Sequence, residues 1–290
     1  MSTRARSANA SKKTRSGAAS TALRVAAIQM ASGPSVAANL SEAEMLLEMA
    51  ARQGAKLAVL PEYFAIMGMR DTDKVEAREA DGKGPIQRFL AEQAKLHDMW
   101  IIGGSVPLLC DSPDKVFNSC LVYDNKGKRV ARYDKIHLFG LQMGMEQYQE
   151  ERTIQPGSEV VVLDTPFGRL GLSICYDLRF PVWSRQSPDV EEDEMEYDVL
   201  IYVANWPERR NHAWKTLLQA RAIENQCYVV GLNRVGKDGT DLYHSGDSMI
   251  IDPLGEILYH KKDEEDIFTI TIGKAHLQNI REKFPFWRDA

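Results

Sequence analysis

Leu170-Gly171-Leu172-Ser173-Ile174-Cys175-Tyr176-Asp177-Leu178-Arg179-Phe180-Pro181 begins as an apolar strand, breaks at a cysteine, and is carried by its closing proline into a short helix. A strand that feeds a helix through a tight turn is a building unit of α/β folds. The same turn lets the backbone N–H groups after Cys175 point at a developing oxyanion. Outward from it, two more stretches leave apolar runs that read as strands: Leu60-Pro61-Glu62-Tyr63-Phe64, and Tyr133-Asp134-Lys135-Ile136-His137-Leu138-Phe139. A thiol is only a few per cent ionised near neutral pH, so a working cysteine nucleophile needs a base and a positive charge beside it. Glu62 and Lys135 are the candidates for those two roles, and Glu62 stands at the carboxyl end of its strand, where α/β sheets collect ligands.

The rest of the chain extends the same alternation. Residues 23–30 read as a buried strand, 37–55 as an amphipathic helix, 56–61 as a strand, 85–99 as a helix with a proline in its first turn, and 100–105 as a strand. Residues 117–123 and 129–133 flank Asp124-Asn125-Lys126-Gly127-Lys128, a hairpin turn, and 160–163 and 170–174 flank Pro166-Phe167-Gly168. Residues 199–203 are a strand and 212–226 a helix whose Trp214, Leu217, Leu218, Ala222 and Ile223 make an apolar stripe. Residues 227–232, 247–251 and 257–259 complete the strands. No internal repeat or linker interrupts residues 23–290, which read as one domain.

Composition excludes several classes of function. With 290 residues and 44% hydrophobic content the chain buries a sizeable core. No apolar stretch approaches the roughly 20 residues of a membrane span, and the N-terminus lacks the apolar core of a secretory signal. Residues 1–22 hold Arg4, Arg6, Lys12, Lys13 and Arg15 and no acid, so removing five positive charges from the formal −5 leaves −10 on the body. An acidic body argues against nucleic-acid binding. The tail reads as a disordered extension, with an organellar presequence as the alternative for its Ser, Ala and Arg content. Cys110, Cys120, Cys175 and Cys227 show no C-x-x-C pairing, which fits a reducing, cytoplasmic setting. The six histidines show no metal-ligand spacing, and no metal or cofactor is expected. The acidic run at 189–196 reads as a solvated loop. Cys110, Cys120 and Cys227 read as small apolar residues.

Glu62, Lys135 and Cys175, in that order and each with apolar flanks, resemble the nitrilase superfamily of carbon-nitrogen hydrolases over a stretch from about Leu23 to the C-terminus. The resemblance implies a four-layer α-β-β-α sandwich where pattern alone reaches mixed α/β. It also implies a Glu-Lys-Cys triad that opens amide, nitrile or carbamoyl groups through a thioester intermediate, with Lys135 and the Tyr176 backbone N–H on the oxyanion. The superfamily has a second glutamate; Glu150 is the candidate, with Glu146 and Glu151 close enough to leave the assignment open. The stretch Cys175 to Arg185, Val203-Ala204-Asn205-Trp206-Pro207 and Arg281-Glu282-Lys283-Phe284-Pro285 look like the bacterial-type omega-amidases, which act on 2-oxo acids such as 2-oxoglutaramate. Residues 60–68 and 151–157 look closer to the deaminated glutathione amidases. The expected activity is that of an omega-amidase, with deaminated glutathione amidase, or an N-carbamoyl or nitrile hydrolase, as the alternative.

Both amidase classes take a small amide substrate with a carboxylate, for which Arg179, Arg209 and Arg210 are the available cations. Family analogy sets Asn205 and Trp206 at the pocket border; a plain strand end with a core aromatic is the other reading. The family also implies a homodimer, and Phe284-Pro285-Phe286-Trp287-Arg288 is apolar enough to need a partner surface unless it packs on its own domain. A scaffold kept only for binding or assembly would have no need of the intact triad. An amide-forming enzyme would favour a fused ammonia-supplying or lipid-anchored domain.

Overall fold

The computed structural model describes residues 22–143, 146–186 and 195–289; the basic tail up to residue 21 and most of the acidic run at 189–196 lie outside them. Along the chain run β1 (Ala22–Gln29), α1 (Val36–Arg52), β2 (Leu57–Val59), α2 (Asp73–Glu76), α3 (Pro85–Leu96), β3 (Trp100–Ile102), β4 (Val106–Leu109), β5 (Val116–Tyr123) and β6 (Arg129–Asp134). A small hairpin follows, β7 (Gly140–Met143) and β8 (Glu146–Gln149), then β9 (Val162–Thr165), β10 (Gly168–Ile174), α4 (Pro181–Ser184), β11 (Val199–Ala204), α5 (Asn211–Asn225) and β12 (Tyr228–Asn233). The chain closes with β13 (Val235–Lys237), β14 (Tyr243–Ile251), β15 (Ile257–Lys262), β16 (Asp266–Gly273) and α6 (Lys274–Lys283).

Two seven-stranded sheets result. One has the order β16-β1-β2-β3-β5-β4 with β6 on β5, and the other β13-β14-β12-β11-β10-β9 with β15 on β14. The period of two along each strand explains the layering. In β1, Leu23, Val25 and Ala27 face a core shared with the second sheet, while Ala26 and Ile28 face a core shared with α1 and α3. On the far side Trp214, Leu218 and Ala222 of α5 close the second sheet. The layers are therefore helix, sheet, sheet, helix, as the resemblance implies.

The helices carry local reasons for their position. Ser35 caps α1 by accepting from the Ala38 N–H at 3.3 Å, and Ala43, Leu46, Leu47 and Ala50 form its buried stripe. The Glu79 carboxylate accepts from the Ile86 and Gln87 N–H groups in the first turn of α3, at 2.6 and 3.1 Å, where the helix dipole favours an anion. Among the described residues no helix is long and apolar enough to cross a membrane.

Sequence pattern missed some elements. β16 pairs antiparallel with all of β1, from Ala22↔Gly273 to Gln29↔Asp266, but it follows Asp263-Glu264-Glu265 and is only half-buried on both faces, so its period-two signal is weak. β4 was also unread because Pro107 breaks a strand pattern; its place at the sheet edge accommodates the missing donor. In α5 the stripe is narrower than expected: Ile223 is exposed, and Arg221 and Asn225 are buried in its stead.

Gly104, just after β3, has φ +51°, and a side chain there would drive into the Pro61 carbonyl beside Glu62. Gly82 has φ +75° but open space around it. Gly82→Ala is expected to cost about 1 kcal/mol for its left-handed backbone and Gly104→Ala about 3 kcal/mol or more. Denaturant titration of both variants checks this, and equal losses would contradict the packing described.

Candidate active site

The carboxyl ends of β2, β6, β10 and β11 meet where the sheets face each other. β2 runs out through Pro61 into Glu62, which is buried; the next residue, Tyr63, takes φ +50° with its N–H held by Ser105 Oγ at 2.9 Å. β6 delivers Lys135, whose side chain is 0% exposed. Its Nζ donates to Glu150 Oε1 at 2.8 Å and to Glu62 Oε1 at 3.1 Å. The carboxylates are held in turn by neutral donors. Asn118 Nδ2 donates to Glu62 Oε1 and the Asn205 N–H to Glu62 Oε2, both at 2.8 Å, and the Phe139 N–H donates to Glu150 Oε2 at 2.7 Å.

Burial alone would strip the charge from Lys135, but Glu150 and Glu62 together outweigh it and hold the ammonium well above the ordinary lysine range. For Glu150 burial is the strongest influence; it raises the carboxyl pKa against the pull of Lys135. Among the described side chains of the three acids that sequence left open, Glu150 is joined to Lys135. Glu151 is exposed, and the side chain of Glu146 lies outside the described residues.

Cys175 opens a 3-10 turn, Cys175–Arg179, with φ +47° directly after the extended Ile174. That conformation is strained for a residue with a side chain. Asp177 fixes it. Its Oδ2 accepts from the Ile174 N–H at 2.9 Å and Tyr133 Oη at 2.6 Å, and its Oδ1 from the His137 N–H at 3.0 Å and His137 Nδ1 at 2.8 Å. Tyr133 and His137 flank Lys135, so one carboxylate ties the cysteine turn of the second sheet to the lysine segment of the first. Phe180 stacks on His137 at 3.8 Å. Burial and then Glu62 push the Cys175 thiol up, only partly opposed by Lys135, so the resting side chain is a neutral thiol. Cys120 and Cys227 lie in the core, each pushed up to about 12 by burial.

A cavity of about 680 Å³ opens over these groups, lined among others by Glu62, Glu150 and Cys175. Tyr176, Arg179, Asn205 and Trp206, expected around a substrate, all line it, as do Arg209 and Arg210. The Arg179 guanidinium lies 4.8 Å from the Trp206 ring. Trp206 answers to both of its readings: it borders the cavity, yet it is buried, packed 5.6 Å from Trp214, with its indole N–H on the Arg210 carbonyl at 2.8 Å. Sequence reasoning missed Asn118 and Asp177. A signal existed for the first, since an asparagine inside the apolar run of β5 must find a buried partner.

A family model described as carbon-nitrogen hydrolase matches residues 24–282. The chain is 35% identical over 268 residues to a deaminated glutathione amidase of Synechocystis sp. (strain PCC 6803 / GT-S), covering 90% of this chain and 95% of that one. It is 38% identical over 253 residues to omega-amidase YafV of Yersinia enterocolitica, covering 87% and 90%. A crystal structure of a CN-hydrolase superfamily protein from Xanthomonas campestris, with an arsenic adduct in its active site, superposes with a TM-score of 0.84 at 36% identity, covering 93% and 97%. The chain belongs to the carbon-nitrogen hydrolase family, within the nitrilase superfamily.

A thiol raised by burial and by Glu62 ionises only in alkaline solution. Alkylation of Cys175 by iodoacetamide, followed by peptide mass spectrometry, is expected to accelerate through and beyond about pH 9 without levelling. A plateau below about pH 8 would mean a standing thiolate.

Proposed function

We propose that this chain is a thiol-dependent amidase that hydrolyses the terminal amide of a small 2-oxo acid such as 2-oxoglutaramate, releasing ammonia through a thioester on Cys175. The observation that carries the reading is the fully buried Lys135 ammonium held between Glu62 and Glu150, two carboxylates that line the same cavity as Cys175. Because the thiol rests neutral, the proton must leave as the bond forms. Glu62 takes it, the sulfur attacks the amide carbon, and the carbonyl electrons move to an oxygen met by Lys135 and the Tyr176 N–H. Collapse breaks the carbon-nitrogen bond, and Glu62 returns the proton to the departing ammonia. Water then gives a proton to Glu62 and attacks the thioester; the carboxylic acid leaves and the thiol is restored. Glu150 holds Lys135 in place and faces the departing amine.

The named activities of the similar proteins, omega-amidase and deaminated glutathione amidase, support this chemistry. Both substrates share a 2-oxoglutaryl acyl half with a terminal carboxylate, for which Arg179 supplies positive charge at the cavity wall. They differ in the leaving amine. The second reading, deaminated glutathione, is favoured by a cavity in the range of drug-sized ligands, larger than a five-carbon amide fills.

Formation of the 2-oxo acid product from 2-oxoglutaramate, 2-oxosuccinamate and deaminated glutathione, compared side by side, tests the proposal. Preference for the two small amides is the expected result; preference for deaminated glutathione selects the second reading. Cys175→Ala is expected to abolish turnover and Glu62→Gln to lower it by about 10³-fold, so near-normal rates in either variant would remove the mechanism.

The proposal includes a homodimer in the cytoplasm. Trp287 is buried on its own domain, but Phe284 is 63% and Phe286 42% exposed, which leaves an apolar face for a second copy. The four cysteines are free, which fits a reducing compartment. Sedimentation at micromolar concentration is expected to give twice the chain mass; a monomer would refute the pairing.

A further inference from the structure

β10, β11 and β12 are parallel neighbours, with Ile174 opposite Val203 and Ala204 opposite Asn233. Cys175 and Arg234 therefore leave the same edge of the sheet two strand spacings apart, about 10 Å. Arg234 is 1% exposed, and its backbone N–H donates to the Ala204 carbonyl at 3.0 Å. Nη2 donates to the Ser32 and Lys237 carbonyls at 2.9 and 3.3 Å, while Nε is buried with no partner. Among the described residues no carboxylate lies within ion-pair distance of it. The Asp238 carboxylate acts on it only through space, being turned to Thr240 and Leu242 of its own loop. Burial pulls the guanidinium down to about 10, so it remains charged at neutral pH.

Its remaining contact is His244, on β14, 1% exposed and lining the cavity. Arg234 Nη1 lies 3.2 Å from His244 Nδ1, and the Leu242 carbonyl oxygen lies 3.1 Å from the same nitrogen. A guanidinium can only donate, and a charge-assisted bond prevails over a neutral one. Nδ1 therefore accepts and the ring proton sits on Nε2. Burial and then Arg234 push the imidazole down to about 4, so it is neutral at pH 7. With Nδ1 engaged by Arg234, the ring presents its Nε2–Cδ2 edge as the part that can serve the cavity His244 lines, with the Gly236 carbonyl close enough to act on the imidazole as well.

We propose that His244 is a specificity-determining residue whose Nε2–H donates to the carboxylate end of the substrate's acyl chain, with Arg234 behind it fixing the tautomer and supplying positive potential. This rests on the reading of the substrate as the amide of a short acid. A five-carbon acyl chain with its amide at Cys175 extends its carboxylate toward the strand end from which Arg234 leaves.

The test compares three amides of equal chain length: 2-oxoglutaramate, glutaramate, which keeps the carboxylate but lacks the oxo group, and pentanamide, which lacks both. His244→Leu is expected to lower kcat/KM on the two acids by about 10- to 100-fold, mainly through KM, and on pentanamide by no more than about threefold. His244→Gln, which keeps an N–H donor, is expected to recover most of the loss. Equal losses on all three amides, no loss, or no recovery with glutamine would overturn the assignment. Nitrogen-15 histidine spectra of Cys175→Ala during titration with glutarate provide a measurement that leaves His244 intact. The expected signal is an Nε2–H tautomer that shifts on binding; an Nδ1–H tautomer or an unmoved signal overturns it. If the wild-type protein turns over neither acid amide, the substrate reading fails, and the glutarate titration decides the His244 assignment by itself.

Discussion

The ammonium of Lys135 is sealed from water, and most of the site's arrangement follows from that constraint. Removing a charge of this kind from water costs several kcal/mol even after relaxation, so it persists only where opposite charge and hydrogen bonds meet it directly. Glu150 and Glu62 do so, at 2.8 and 3.1 Å. Two carboxylates on one cation leave an excess of negative charge, which neutral donors must stabilise, and those donors come from three separate places: Asn118 in β5, Asn205 after β11 and Phe139 before β7. One buried charge thus brings five chain segments to a point: those of Glu62, Asn118, Lys135 with Phe139, Glu150 and Asn205. Burial first, and then the same negative excess, keep the thiol beside it protonated at rest.

The second constraint is the backbone of Cys175. A left-handed cysteine costs of order 1–3 kcal/mol and must be over-determined by its surroundings. Asp177 provides this with four accepted hydrogen bonds, each worth about 1 kcal/mol net and more to an ionised acceptor. Because two of the donors belong to His137 and one to Tyr133, the bonds that hold the strained turn also set its distance from Lys135. Nucleophile and cation, carried on different sheets, cannot drift apart without breaking the Asp177 contacts.

These two constraints also explain how much the sequence revealed. Glu62, Lys135 and Cys175 were legible because each stands at or just past the end of a strand, within a short stretch that keeps apolar neighbours. Glu150 was legible only as one of three nearby acids, since the choice depends on the β7–β8 hairpin, which carries no strong period. Asn118 and Asp177 are polar residues whose worth lies wholly in partners remote in sequence, Glu62 at a separation of 56 and Tyr133 at 44, and no local pattern encodes that. β16 escaped because a half-buried strand after a charged turn has little contrast. The Arg234–His244 contact is of the same long-range kind: a cation buried against carbonyls and an imidazole leaves no charge pattern in the chain.

Two buried cations behind the cavity wall are stabilised in opposite ways. Lys135 is over-neutralised by carboxylates, so the negative charge nearest Cys175 is that of Glu62 and Glu150, with the Arg179 guanidinium farther along the wall over Trp206. Arg234 has no carboxylate at ion-pair distance among the described residues, and its guanidinium bears on His244, beside which Asp238 and Asp241 also line the cavity. On the proposed reading of the substrate, an acyl chain with a carboxylate at one end and an amide at the other is sorted by these charges. In the reversed pose its carboxylate meets Glu62 and Glu150, and one unit charge 4 Å from another costs about 4 kcal/mol at the effective dielectric of a partly buried site. Orientation therefore comes as much from repulsion in the wrong pose as from attraction in the right one. On that reading the carboxylate pair that buries Lys135 also acts as a selectivity element, because it disfavours a charged group at the thiol and so reserves it for the uncharged end of the proposed substrate.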